Sequence, residues 1–193
     1  MAGPVTLRPG AVTLGELRSI WAGAPVELAA GAWGRVDDAA ACVGRILESG
    51  RVVYGVNTGF GLLAQTQIPA DRLAELQRNL VMSHSCGLGA DLSRPVVRLA
   101  MATKVVGLAR GHSGVRREVV ERLLALLDAD ALPCLPSQGS VGASGDLAPL
   151  GHLSAAMLGE GRIDLGARSC RRRRRFASSG WSRSCSAPRK GWR

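Results

Sequence analysis

The chain has 193 residues, of which 46% are hydrophobic and only 4% aromatic, with a formal net charge of +10. That length allows one domain or one and a half, with a core packed by Ala, Val and Leu more than by rings. The charge excludes less than it suggests: the last 27 residues carry ten Lys/Arg and no acid, which leaves residues 1–166 with 15 of each sign. The body is therefore neutral, and a nucleic-acid-binding reading would rest on the tail alone. Five cysteines, Cys42, Cys86, Cys134, Cys170 and Cys185, form no Cys-x-x-Cys pair and are odd in number. They read as reduced thiols of a cytoplasmic protein, with no disulfide framework and no metal site. The first ten residues lack an apolar signal-peptide core, and the most apolar run, 96–108, is interrupted by Arg98 and Lys104 and is too short to span a bilayer.

Taken in order, Thr13-x-x-Glu16 is a capping-box pattern and predicts a short helix over 13–22. Residues 26–28 read as a brief strand. Val36, Ala40, Val43 and Leu47 recur at helical spacing, which predicts a helix over 32–49 that stops at Gly50. Residues 51–54 read as a short strand entering a glycine-rich loop, Tyr54 to Gly61. Gly59-x-Gly61-x-x-Ala64 imitates a dinucleotide fingerprint, but no second strand ending in Asp or Glu follows at the needed distance. An amphipathic helix over 69–83 starts at Pro69, carries Leu73, Leu76, Leu80 and Val81 on one side, and delivers Ser83-His84-Ser85-Cys86-Gly87 to its end. Ser93 is placed to cap a helix over 95–110 that Gly111 ends. Another helix follows over 115–128, with Val119, Leu123, Leu126 and Leu127 as its apolar face. His112 lies between these two helices and reads as structural or exposed. No repeat period is visible, and the pattern is mainly α with short strands near the N-terminus.

Residues 137–154 read SQGSVGASGDLAPLGHLS, with three glycines and three serines in the first nine positions. Gly142 and Gly145 bracket Ala143-Ser144, so the backbone there can bend sharply. Asp146 and Pro149 suit the first turn of a helix. A nucleophile elbow would need glycine where Asp146 stands, and a phosphate-binding P-loop would need a lysine that the loop lacks. His152, about two helical turns beyond the triplet, reads as a packing residue or as one that supports the residues of the site from behind.

Ala143-Ser144-Gly145 within GSVGASGDLAPLGH resembles the signature of the aromatic amino acid ammonia-lyases, and Tyr54-Gly55-Val56-Asn57-Thr58-Gly59-Phe60-Gly61 resembles that family's other signature loop, upstream as in the family. The resemblance covers residues 5 to 166 and implies the N-terminal part of the helical, fumarase/aspartase-like ammonia-lyase fold. It implies that Ala143, Ser144 and Gly145 cyclise with loss of water into a 4-methylidene-imidazol-5-one (MIO) ring, with no external cofactor. A helix beginning at Asp146 would direct its positive end at that ring, and Asp146 itself would support the bend. Tyr54 becomes the base. A phenol needs a cationic or hydrogen-bonding neighbour to act near neutrality. Asn57 would help to shape the lid and contact substrate.

His84 would orient the substrate side chain. Ser83-His84, in place of the apolar pair of a phenylalanine-preferring site, favours L-histidine as substrate and trans-urocanate as product, with phenylalanine or tyrosine as the alternative. The family's assembly is a homotetramer.

Beyond Gly166 the periodicity disappears and Arg171 to Arg175 form an unbroken basic run. Residues 167–193 read as a basic, disordered tail of the kind that a GC-rich gene yields out of frame, and the chain as a truncated, inactive form of such an enzyme. The competing reading is a non-catalytic, basic-tailed nucleic-acid-binding fragment.

Overall fold

The computed structural model describes residues 3–140 and 147–166. Strand β1 (Val5–Leu7) leads through helix α1 (Leu14–Trp21) to β2 (Val26–Leu28), which pairs with β1 in parallel, Val5 opposite Val26 and Leu7 opposite Leu28. The capping box forms as its sequence predicts. The Thr13 hydroxyl accepts the Glu16 N–H at 3.2 Å, while the Glu16 carboxylate accepts the Thr13 N–H at 2.7 Å and is held below its usual pKa by that bond. A 3-10 turn (Ala30–Ala32) opens α2 (Trp33–Glu48), which ends at Gly50 with a φ of +66°, a conformation that a residue with a Cβ resists.

Helix α3 (Leu73–His84) is entered through a 3-10 turn, Ala70–Arg72. It leads through β3 (Leu88–Asp91) to α4 (Arg94–Leu108) and α5 (Arg117–Asp128). Strands β4 (Leu132–Pro133) and β5 (Pro136–Gln138) precede α6 (Leu147–Met157) and β6 (Ile163–Asp164). Strand β5 pairs antiparallel with β3, and β6 with β4. The expected mainly helical chain is thus observed, although short strands also occur in its second half.

The core lies where α1, α4 and α5 meet β1 and β2. It is aliphatic, with Leu7, Ile20, Met101, Val105, Leu123 and Leu126 almost wholly buried. On α5 the fully buried valine is Val120, while the expected Val119 is only half-buried; the helix begins at Arg117, and its inner face turns accordingly. Arg98, which breaks the apolar run in the sequence, is 5% exposed. It donates to the carbonyls of Ile20 and Ala24 and to Asp130 Oδ1 at 3.0 Å, so it ties the end of α1 to the end of α5. A buried cation is tolerable only with such complete pairing. Arg117 pairs with Asp37 and lies 4.7 Å over the Trp33 ring, fastening α5 to α2.

Two local expectations are overturned. Residues 51–54 form no strand, because the side chain of Asn57 occupies the backbone groups that a neighbouring strand would use. Ser93 stands at the N-cap of α4 with extended backbone but makes no side-chain capping bond. Pro95, at the second helical position, has no N–H to offer it.

Candidate active site

Four of the residues singled out by sequence, Ala143, Ser144, Gly145 and Asp146, lie outside the described residues, as does the 167–193 tail. What is described is the frame on either side of the triplet and the two other segments, around Tyr54 and His84.

The loop that carries Tyr54 is closed on itself. Val53 N–H donates to Asn57 Oδ1 at 2.8 Å and Asn57 Nδ2 donates to the Arg51 carbonyl at 2.9 Å, with Asn57 only 4% exposed. Thr58, 1% exposed, accepts the Gly55 N–H through its hydroxyl and donates to the Gly59 carbonyl. Across the loop, Gly59 N–H reaches the Thr66 carbonyl at 3.0 Å and Ile68 N–H the Asn57 carbonyl at 2.9 Å. Two short polar side chains therefore fix a loop that lacks regular structure. Tyr54 stands out from it, 64% exposed, its ring edge-on to Phe60 with centroids 5.9 Å apart. Asn57, which the resemblance links to substrate contact, has both ends of its amide bonded to the loop backbone. Thr58 and Phe60 were not singled out by sequence. A threonine among glycines gives no sign of burial.

His84 is the last residue of α3. Its Nδ1 lies 2.7 Å from the Leu80 carbonyl, and since a carbonyl only accepts, Nδ1 carries the proton. In the neutral ring Nε2 is then a free acceptor. Ser83 also donates to the Leu80 carbonyl, at 3.0 Å.

Helix α6, which begins at Leu147 just after the triplet, packs directly on this segment. A Cβ on Gly151 would stand 2.9 Å from the His84 carbonyl carbon and 3.1 Å from the Ser85 nitrogen. Gly87 N–H donates to His152 Nε2 at 3.0 Å. Gly87 is itself wedged, since a Cβ there would meet the Gln138 carbonyl oxygen and Pro136 Cβ at 3.1 Å and His152 Nε2 at 3.2 Å. Gly139 (φ +146°) closes the group, with a Cβ 3.1 Å from Gly87 Cα and 3.0 Å from Ala148 Cβ. Both ends of the segment bearing the triplet, Gly139 on one side and α6 on the other, thus rest on the chain that follows His84. The packing role expected for His152 takes this specific form.

Two predictions follow from this contact. Gly151→Ala should destabilise the fold by about 1–3 kcal/mol, because the atoms that must yield are backbone. An unchanged urea midpoint would contradict the contact. His152 must be neutral to accept through Nε2, and burial, then the nearby Arg162, lower its pKa from 6.5. A lowered histidine pKa gives stability that is fully present above the unfolded value and lost as pH falls through the folded one. The thermal midpoint should therefore drop, as pH falls below the ordinary histidine value, by more in the native chain than in His152→Gln. Parallel profiles would contradict it.

Helix α6, which follows the Ala-Ser-Gly triplet in sequence, thus packs on the helix end that bears His84, and comparison with known proteins identifies the family. The aromatic amino acid lyase family matches residues 12–188, and the chain belongs to that family. It is 53% identical over 188 residues to the histidine ammonia-lyase of Paracidovorax citrulli, covering 97% of this chain and 37% of that protein. It is 55% identical over 158 residues to that of Aromatoleum aromaticum, covering 81% of this chain and 30% of that protein. The solved histidine ammonia-lyase of Trypanosoma cruzi superposes with a TM-score of 0.75 at 39% identity, over 83% of this chain and 30% of that one. The tyrosine aminomutase of Streptomyces globisporus gives 0.81 at 32%, over 92% and 33%. The chain therefore spans about a third of the length of the curated relatives that it matches. Among the described residues no helix is long and apolar enough to cross a membrane.

Proposed function

We propose that this chain carries part of the site of a histidine ammonia-lyase, which converts L-histidine without oxidation to trans-urocanate and ammonia. The observation that carries the reading is the seat of α6 on the His84 segment, through Gly151 and the His152–Gly87 bond, which ties the triplet to a histidine. Ala143-Ser144-Gly145 has the residue types from which a self-derived MIO ring is built, and the chain on either side of it, at Gly139 and Gly151, is packed against the segment after His84. Once formed, that ring would supply the electrophile that makes ammonia a tolerable leaving group.

The chain's own residues do the rest. Tyr54 takes the β-proton of the substrate, the C–H electron pair becomes the new double bond, and the C–N pair leaves with ammonia. Asn57 and Thr58 hold the loop so that Tyr54 stays presented. His84 Nε2 accepts the N–H of the substrate imidazole, a bond that a phenyl ring cannot return.

In a protein of the relatives' length that contains this region, His84→Leu should weaken histidine turnover and move preference toward phenylalanine. Urocanate and cinnamate formation, followed by absorbance, check this. An unchanged preference would show that His84 merely ends its helix. By itself, the 193-residue chain is proposed to be inactive.

The assembly we propose is a homotetramer in the cytoplasm. Cys42, Cys86 and Cys134 are free thiols, and α3 buries none of its residues, both of which support that setting. For residues 167–193 we propose an out-of-frame continuation that binds no nucleic acid. Reading the coding DNA in its other frames decides it. A helix-patterned continuation from near Gly161 to Ala167 would support the shift, and its absence would favour in-frame family sequence, in line with a match that runs to residue 188.

A further inference from the structure

The contact between α6 and the end of α3 assigns a task to a residue outside the reacting groups. Gly87 N–H points at His152 Nε2 at 3.0 Å, three residues beyond His84 and immediately before β3. Gly87 is tightly enclosed, because a Cβ on it would meet Gln138 and Pro136 of β5 together with His152 itself. Gly151 brings the α6 backbone against the His84 carbonyl. The side chain on α6 that reaches across to a backbone donor is therefore in a position to fix where the α3 terminus lies.

The surroundings keep the histidine in its accepting form. Arg162 lies near the ring and is held by Asp91 at 2.6 Å, while Asp91 closes β3. The cation disfavours a second proton on His152, and the carboxylate partly offsets it. The same arginine's carbonyl accepts the Cys134 N–H at 2.9 Å, which anchors the turn after α6 to the strand beside it.

We infer that His152 is a positioning residue: by accepting the Gly87 N–H through Nε2 it fixes the Ser83–Gly87 segment, and with it the orientation of His84, relative to the helix that follows Ala143-Ser144-Gly145. It rests on the proposed function only for what His84 does with substrate, since the placement of His84 follows from the contacts alone. His152 touches no reacting atom, and its effect passes through the backbone of a neighbouring segment.

The test uses the 193-residue chain with two variants. His152→Leu keeps bulk and removes the acceptor, and His152→Gln returns an amide oxygen near the Nε2 position. Three quantities are read: hydrogen exchange of the Gly87 amide, the NMR signals of the His84 ring, and affinity for L-histidine by calorimetry. The leucine variant is expected to speed Gly87 exchange by about tenfold, shift the His84 ring signals and weaken L-histidine binding by about tenfold, and glutamine to restore all three.

Unmoved His84 signals in a folded leucine variant would overturn the inference, whatever its melting temperature. If the leucine variant does not fold, the glutamine variant decides: native His84 signals support the inference, and displaced signals with the Gly87 amide still protected overturn it. Because the chain carries only part of the site, the Gly87 and His84 measurements decide the role of His152 whether or not L-histidine binds, and the histidine-lyase reading is judged by the turnover of His84→Leu in a protein of the relatives' length.

Discussion

Ser144→Ala is expected to abolish both ring formation and deamination while leaving the fold unchanged. An alanine cannot lose its side chain as water to become dehydroalanine, so the electrophile never forms, and no other side chain of the site can replace it. The described packing on either side of the triplet, Gly139 against Gly87 and Gly151 against His84, is made by residues that the substitution leaves unchanged. The variant should melt within about a degree of the native chain, since it removes a single hydroxyl. Native-like turnover by this variant, in a protein of the relatives' length, would show that the triplet has no chemical role.

Tyr54→Phe should cost about 100- to 10,000-fold in turnover by removing the base, with little effect on stability. The ring is 64% exposed and its one described ring contact, edge-on to Phe60, survives in phenylalanine. The loop itself is held by Asn57 and Thr58, which the substitution leaves alone. Loss of turnover with an unchanged Michaelis constant would place the hydroxyl in the chemical step. Turnover within a few-fold of native would remove Tyr54 from that role and direct the search for a base elsewhere.

Much of this was legible before any coordinates. The helices around the core announce themselves through apolar residues at helical spacing, and Thr13-x-x-Glu16 folds as its pattern dictates. What stayed hidden shares one cause: a polar side chain that bonds to backbone groups, which hydrophobic periodicity does not register. Asn57 replaces a neighbouring strand for residues 51–53, so β-branched composition there does not become a strand. Arg98 reads as an interruption of an apolar run and turns out to be buried because carbonyls 74 and 78 positions away receive it. His152 resembled a packing residue, and its bond to Gly87 joins positions 65 apart, beyond any local pattern. The candidate site followed the same division. Tyr54, His84 and the Ala-Ser-Gly triplet stand in short motifs whose residue types suggest the proposed chemistry, whereas Gly151 and Gly87 matter only through contacts made after folding.

The most direct measurement is the intact mass of the 193-residue chain, followed by peptide mapping across 139–152. The proposed function predicts a deficit of two water molecules, one for ring closure and one for dehydration of the serine, confined to Ala143-Ser144-Gly145 and absent from Ser144→Ala. A peptide of unmodified mass from folded chain would contradict it.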